Sequence, residues 1–212
     1  MRKTIKALLW IVGIAVLVGV VLRGVVIATW TVPDDPWLSV SVAPTLRGGD
    51  LVLMLTRGSP GFGDLVRCSD PDNPGGFVVG RIVAEEGDAI EMAGGILRIG
   101  GTRYDATESC TKTRFTVQHP DTGSEIEMRC SRVEMGGSWH FRGNLAKPRT
   151  QENFQRTVDR DRVFLLSDNR DMHQDSRDFG PLLKSTCKER IFFRLWSKAG
   201  FTETESRMTY IR

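Results

Sequence analysis

What the sequence lacks narrows the classes of protein that it can encode. It has no internal repeats and no low-complexity tract, which excludes repeat architectures. It also has no Cys-x-x-Cys pair, which is the usual spacing of a zinc site. The formal net charge is only +3, and the basic residues are scattered along the chain, which argues against nucleic-acid binding. The 22 glycines and the moderate share of aromatic residues are typical of a turn-rich β protein. We therefore expect a mainly β fold that binds no nucleic acid.

One long apolar run stands near the start of the chain. Leu8 to Trp30 is apolar at all but two positions, which is long enough to cross a hydrocarbon core of about 30 Å. Three basic residues precede the run, so the positive-inside rule places the N-terminus in the cytosol. The alternative is a cleaved signal peptide, because Val26 and Ala28 satisfy a small-residue cleavage rule. We predict a cytosolic segment, a transmembrane anchor and an extracytoplasmic domain over residues 1–6, 7–30 and 31–212.

Beyond residue 31 the pattern predicts antiparallel β-sheets. Short β-branched or apolar runs alternate with clusters of Gly, Pro, Asp and Asn. A more polar stretch, residues 101–161, is predicted to be an inserted β subdomain. The predicted strands are Leu51–Leu55, Phe77–Val83, Ala89–Met92, Ile96–Ile99, Arg114–Gln118, Glu125–Met128, Val163–Leu166 and Glu189–Trp196.

Four cysteines make an even count in a domain expected to face an oxidising compartment. Cys110 and Cys130 flank a predicted hairpin and are the first candidates for a disulfide. Pairing of Cys68 with Cys187 rests on the count alone. Reduced, buried cysteines remain the alternative for both pairs.

Three ordered segments carry the functional signal. The first places Ser39 and Ser41 ahead of Pro44-Thr45-Leu46, with Gly49-Asp50 after them. The second is Phe77-Val78-Val79-Gly80-Arg81-Ile82-Val83, and the third runs from Ser167-Asp168-Asn169-Arg170 to Asp175-Ser176-Arg177. In order and spacing, behind an N-terminal apolar segment, they resemble the boxes of type I signal peptidases, the membrane-anchored serine endopeptidases that remove signal peptides from exported proteins. The resemblance spans about residues 38–197.

The resemblance implies a role for each serine. Ser41 matches the nucleophile, whose hydroxyl attacks the scissile carbonyl carbon. Ser39 matches the position that donates a hydrogen bond to the oxyanion. The other interpretation is ordinary turn capping ahead of Pro44. Val42 stands where the family usually has Met.

One residue that bacterial members need is absent. The lysine that serves them as general base precedes the arginine of the second segment, and here that position is Gly80. Arg81 cannot replace it, because a guanidinium stays protonated. His173 matches a family serine that hydrogen-bonds the lysine, so we predict His173 as a substitute base and Asp175 as the residue that orients it. A loop histidine without a catalytic role, and an Asp175–Arg177 ion pair that only supports the fold, are the alternatives.

The remaining expectations also follow from the resemblance. Substrates would be signal peptides of exported preproteins, bound as an added strand at the outer face of a bacterial inner (plasma) membrane. Membrane lipid is the other expected partner, no metal or organic cofactor is implied, and a partner subunit is left open. A binding protein that holds signal peptides, or a partner peptidase, without cutting is the second hypothesis. His119 and His140 are expected to have no role. Substrate contact is assigned to Leu38, Val40, Val42, Val78 and Val79, and support of the third segment to Asp168, Asn169, Arg170, Ser176 and Arg177.

Overall fold

The fold consists of three α-helices and fifteen strands in a computed structural model that describes residues 2–147, 153–198, 200–204 and 206–212. The helices are α1 (Arg2–Val25), α2 (Pro36–Ser41) and α3 (Ser176–Phe179), with one 3-10 turn at Lys184–Thr186. The strands are β1 (Ile27–Thr31), β2 (Leu51–Leu55), β3 (Leu65–Ser69), β4 (Phe77–Glu85), β5 (Ala89–Ala93), β6 (Ile96–Ile99), β7 (Thr102–Tyr104), β8 (Ala106–Gln118), β9 (Glu125–Met135), β10 (Ser138–Leu145), β11 (Phe154–Thr157), β12 (Arg162–Leu166), β13 (Leu182–Leu183), β14 (Glu189–Trp196) and β15 (Thr209–Tyr210).

The strands form three antiparallel sheets. The largest has the order β1-β2-β14-β3-β4-β12-β13, with β15 added beside β14. A four-stranded sheet has the order β11-β5-β6-β7, and a three-stranded sheet has the order β10-β9-β8. Strand β4 is buried at seven consecutive positions because it lies between β3 and β12 in the largest sheet. The expected mainly β, antiparallel fold is confirmed.

The predicted anchor differs from the structure at its C-terminal end. The helix ends at Val25, and the five residues from Ile27 pair with β2 instead of continuing the helix. The apolar pattern that extended the predicted anchor to residue 30 therefore includes one edge strand of the largest sheet. Apolar side chains on the helix between residues 8 and 21 are exposed. Among the described residues, no helix combines the length and the hydropathy needed to cross a membrane.

All eight predicted strands occur; β2, β6 and β14 have the predicted limits, and β4, β5 and β12 differ from them by one or two residues. Strands β8 and β9 are longer than predicted, at 13 and 11 residues; most of β8 is exposed, with Cys110 its one buried residue, so it has little apolar alternation to predict it from. The strands that the pattern did not predict are β1, β3, β7, β10, β11, β13 and β15. Most are short, and β10 is rich in polar residues, so apolar alternation alone was too weak a signal.

The predicted insertion, residues 101–161, is divided between two sheets. Its ends, β7 and β11, pair with β6 and β5 of the four-stranded sheet, whereas β8 to β10 form the separate three-stranded sheet. Residues 148–152 lie outside the described residues. Disulfides join Cys110 to Cys130 across β8 and β9, and Cys68 of β3 to Cys187 after the 3-10 turn.

Candidate active site

Helix α2 holds Ser41 at its last position. Asp35 caps the helix by accepting a hydrogen bond from the backbone N–H of Leu38 (2.7 Å), and Pro36 follows at the first helical position, where its missing N–H costs nothing. The Ser41 hydroxyl donates to the carbonyl oxygen of Leu38 (3.2 Å), and the side chain has no solvent exposure. The predicted nucleophile is thus buried, with its proton held by the helix backbone.

Asn169 of the third segment binds the backbone around Ser41. Its backbone N–H donates to the carbonyl oxygen of Ser41 (3.0 Å), and its side-chain Nδ2 donates to the carbonyl oxygen of Val40 (3.1 Å). Its Oδ1 accepts from the backbone N–H of Met172 (3.1 Å). The two segments, 128 residues apart, therefore meet at the predicted nucleophile through one asparagine.

Ser39 does not face the same way as Ser41. Residues two apart on a helix point to different sides. The Ser39 hydroxyl is buried without a hydrogen-bond partner, and it lies 2.6 Å from the position that a Cβ on Gly48 would take. This geometry differs from that of an oxyanion donor beside Ser41.

A buried ion pair joins the second segment to the third. The Arg81 Nε and Nη2 donate to the two oxygens of Asp168 (both 3.0 Å), and the Thr45 hydroxyl donates to Asp168 Oδ2 (2.5 Å). Arg81 and Asp168 are almost completely buried. Burial raises the pKa of Asp168, but the charge and hydrogen bonds of Arg81 outweigh it, so the pKa lies below its usual value. The pair ties all three segments together through Thr45.

The space beside Gly80 is already occupied. A Cβ built on Gly80 would lie 3.1 Å from Leu165 Cβ and 3.3 Å from the carbonyl oxygen of Leu166. Both belong to β12, whose register shifts between Phe164 and Leu165. A side chain at position 80 would therefore be crowded by the neighbouring strand β12.

His173 has a carboxylate partner, but it is a different one from the residue that we predicted. Its Nδ1 lies 2.9 Å from Asp178 Oδ2 and 3.9 Å from Asp175 Oδ1, and 24% of its side chain is exposed. Asp175 is engaged by Arg177, whose Nε and Nη2 donate to its two oxygens (3.0 and 2.8 Å). Burial raises the pKa of Asp175, but Arg177 more than offsets this and the pKa falls below its usual value. The described structure contains no hydrogen bond between His173 and Ser41.

The chain matches a protein family and a solved structure. A family model described as signal peptidase, peptidase S26, matches residues 2–196. The chain belongs to this family. Among solved structures, a signal peptidase I from Enterococcus faecalis superposes with a TM-score of 0.41 at 18% sequence identity, covering 61% of this chain and 94% of that one. No curated protein matches the chain.

Membership of the S26 family confirms the resemblance predicted from the three segments. The family consists of serine endopeptidases that act on the signal peptides of preproteins. Two of the residues assigned to support of the third segment make hydrogen bonds to its backbone or to β12. Ser176 Oγ accepts from the backbone N–H of Leu165 (2.9 Å), and Arg177 Nη1 donates to the carbonyl oxygen of Arg170 (2.8 Å).

The five residues assigned to substrate contact in this S26 member are all buried. Leu38, Val42 and Val79 share one core cluster, Val40 packs with Met128 and Met172, and Val78 lies in a third cluster beside Cys68. None of them lines either of the two larger surface clefts. As the structure stands, they contribute to the core instead of forming an open pocket.

His140, which we expected to have no role, is buried beside Asp168 of the third segment. It is 3% exposed, on the β10 strand, with its Nε2 4.0 Å from Asp168 Oδ1 and without a hydrogen-bond partner. Burial, and after it the charge of Arg81, lowers the pKa of His140 well below its usual value. Only the fold reveals this position, because β10 was not predicted as a strand and nothing in the spacing links it to the third segment.

Among the described residues, one group of side chains has the spacing to hold a metal ion. Ligand atoms of His173, Asp175 and Asp178 lie within 4.8 Å of one another. Both Asp175 oxygens already accept hydrogen bonds from Arg177, so this carboxylate has a cation in place. The group is better described as a histidine with a carboxylate partner than as a metal site.

Proposed function

We propose that this S26 member cleaves signal peptides of exported preproteins, with Ser41 as the nucleophile. The observation that carries the proposal is the double hydrogen bond by which Asn169 of the third segment holds the carbonyl oxygens of Val40 and Ser41. It fixes the backbone on both sides of the reacting hydroxyl, as a preorganised site requires. We also propose a location at the outer face of a bacterial inner membrane, with a single span and a cytosolic N-terminus. This rests on the apolar run Leu8–Trp30 of the sequence and the basic residues before it, since no described helix by itself qualifies as a span.

The first part of β4, which extends beyond its pairing with β12, supports strand addition by the substrate. Strand β12 pairs with β4 only as far as Arg81, so the part of β4 from Phe77 to Gly80 is paired with β3 on one side alone. An extended signal peptide can add there through main-chain hydrogen bonds, which give affinity without a demand for particular side chains. The scissile bond would then lie at the Gly80 end, next to the third segment.

The proton of Ser41 needs an acceptor, and His173 is our proposal for it. A carboxylate on Nδ1, here that of Asp178, leaves Nε2 as the basic nitrogen of the imidazole. In the reaction the hydroxyl would leave the Leu38 carbonyl, transfer its proton to Nε2 and attack the peptide carbonyl carbon. The backbone N–H of Ser41 would stabilise the oxyanion, and His173 would return the proton to the departing amine. Water then hydrolyses the acyl-enzyme by the same route.

A second function is favoured by two specific observations. The position where the family has its lysine is a glycine crowded by Leu165, so no basic side chain stands there, and Ser41 is completely buried. These features fit a protein that binds signal peptides, or a partner peptidase, without cutting them. Ser41 and Asn169 would then serve to shape the peptide-binding edge of β4.

Cleavage of a signal-peptide substrate by the full-length protein in detergent separates the two functions. We expect activity that is lost in S41A and reduced at least about a hundredfold in His173→Gln, because general-base catalysis contributes on that order. His119→Gln is the matched control, since His119 also stands beside an aspartate but in the exposed β8–β9 turn. Substrate binding without turnover would establish the binding function and refute the peptidase proposal.

A further inference from the structure

The three-stranded sheet is joined to the third segment along β10, and we call this joint the seam. Asp171 Oδ2 accepts hydrogen bonds from the backbone N–H of Leu145 (2.7 Å) and from Nδ2 of Asn144 (3.2 Å). The backbone N–H of Gly143 on β10 donates to the carbonyl oxygen of Asp168, and the backbone N–H of Arg170 donates to the carbonyl oxygen of Gly143 (both 2.8 Å). A Cβ on Gly143 would lie 3.2 Å from the carbonyl oxygen of Ala43, so β10 also lies against the chain just after Ser41.

The same sheet packs on the residue before Ser41. Val40 forms a buried cluster with Met128 of β9 and Met172 of the third segment. Phe115 and Val117 of β8 pack around this cluster. The sheet therefore packs on Val40 and lies close to Ala43, on either side of the completely buried Ser41 side chain.

The seam contains two buried polar groups that lack partners. They are Nε2 of His140 and Nη1 of Arg170. Each would regain hydrogen bonds to water if the sheet lifted. A buried polar group without a partner has lost its hydrogen bonds to water and has formed none in the protein, which costs free energy. These two groups weaken a seam that is held by the backbone hydrogen bonds of Gly143 and by the hydrogen bonds from β10 to Asp171.

Charged groups surround His140 from every element at the seam. Asp168 and Arg170 face it from the third segment, Arg81 faces it from β4, and Arg142 lies on its own strand. Asp168 is already bound by Arg81 and Thr45. An imidazolium at this position would therefore meet three guanidinium groups and a carboxylate that is already neutralised.

We propose that the β8–β10 sheet is a cover over the Ser41 segment that mild acid releases, and that His140 is the group that senses the pH. The docked cover holds His140 neutral among the arginines. Lifting the cover exposes the ring to water, where it can take a proton. Acid therefore favours the lifted state and gives a peptide access to Ser41 and to the free edge of β4.

The direction of the effect follows from linkage. The pKa of His140 is lowered in the docked state, first by burial and then by Arg81, and returns towards about 6.5 when the cover lifts. The docked state is therefore most stable above about pH 6.5 and loses stability as the pH falls below it. The opening constant increases by up to tenfold for each pH unit well below 6.5, which amounts to about sixteen-fold between pH 6.5 and 5.0 and about thirty-fold between pH 7.5 and 5.0.

Hydrogen–deuterium exchange of the full-length protein in detergent tests the release directly. Exchange at pH 7.5, 6.5 and 5.0, corrected for the intrinsic rate at each pH, is compared for seam peptides that contain Gly143 and Asn169. A peptide from the centre of β4 serves as the internal reference. We expect seam opening to increase by up to about thirty-fold from pH 7.5 to 5.0, of which about sixteen-fold falls between pH 6.5 and 5.0, with no change in the reference.

Two variants assign the effect to one histidine. His140→Gln keeps a polar side chain that does not titrate, so the seam should exchange equally at all three pH values. His119→Gln, the matched control, should retain the wild-type pH dependence. A wild-type seam that is equally protected at pH 7.5 and 5.0, or a pH dependence that persists in His140→Gln, would overturn the proposal. If His140→Gln fails to fold, the wild-type pH series alone still decides.

The link between opening and access to Ser41 rests on the proposed function, whereas the exchange measurement does not. It reports docking of the cover even in a protein that cleaves nothing. Cleavage assays on the same samples report the peptidase separately, so failure of either proposal is recognised independently of the other.

Discussion

Nδ1 of His173 lies 2.9 Å from Oδ2 of Asp178, and the same carboxylate oxygen accepts the backbone N–H of Asp175 (2.9 Å). Asp178 is the third residue of the short helix α3, whose cap is Asp175, so the two carboxylates form a reciprocal capping box. One oxygen of Asp178 thus fixes both the start of the helix and the orientation of the imidazole. This couples the position of His173 to the local fold of the third segment.

Replacement of Asp178 by Asn should therefore reduce cleavage more than it reduces stability. Asn can still accept one hydrogen bond but removes the charge that stabilises an imidazolium. We expect kcat to fall at least about tenfold with little change in KM, because the charge on the ring develops in the transition state. Steady-state kinetics and urea unfolding would be measured together. The control is Asp121→Asn, which alters the equivalent neighbour of His119 and should leave kcat unchanged. An equal loss in both variants would contradict the role of Asp178.

Much of the framework was accessible from the sequence. The eight predicted strands occur, and the segments that carry Ser41, Arg81 and Asp168 are joined by hydrogen bonds as the family resemblance implied. Short-range patterns sufficed here, because strand alternation and turn residues are local signals. The ordered spacing of the three segments then supplied the long-range relationship.

The details of the site depended on contacts that no local pattern encodes. Asp175 was predicted to orient His173 from its closeness in sequence, but Arg177 binds both of its oxygens and leaves that position to Asp178. His140 lies 28 residues before Asp168 and reaches it only because Gly143 pairs with Asn169 across the seam. Competition between neighbouring charges and the docking of a separate sheet are both tertiary effects.

Asn169→Ala should destabilise the protein and misplace Ser41. The substitution removes the donor to the Val40 carbonyl and the acceptor for the Met172 N–H, and leaves both buried. We expect unfolding free energy to fall by ~3 kcal/mol, since each unsatisfied buried group costs about 1–3 kcal/mol. Urea unfolding is the measurement. Asn153→Ala is the matched control, because Asn153 is exposed and accepts one hydrogen bond from Gly94, and it should change stability by less than about 1 kcal/mol. Similar losses in the two variants would argue against a stabilising role for the hydrogen bonds of Asn169 to Val40 and Met172.

The two disulfides should differ in their contribution to stability. The Cys68–Cys187 bond closes a separation of 119 residues, and the Cys110–Cys130 bond one of 20. In the chain-entropy model, the longer loop restricts the unfolded state more, by about 1.5 kcal/mol. Urea unfolding of the two paired Cys→Ala variants would measure the difference. A larger loss from the Cys110–Cys130 pair would show that contacts in the folded state outweigh loop entropy.

Introduction of a lysine in place of Gly80 tests whether the site can return to the family's chemistry. Gly80→Lys places a Cβ 3.1 Å from Leu165 Cβ and 3.3 Å from the Leu166 carbonyl oxygen, closer than ordinary packing allows, so β12 must shift. Gly80→Ala alone should lower the unfolding free energy by about 1–3 kcal/mol for the same reason. Gly61→Ala is the control, because its Cβ would meet only Glu85 Oε1, at 3.6 Å. The shift in β12 moves the strand that leads into the third segment, so we expect no cleavage that depends on the introduced amine. Cleavage that appears in Gly80→Lys and becomes independent of His173 would instead show that β12 yields readily and that the glycine, not the packing around it, keeps the family's base out.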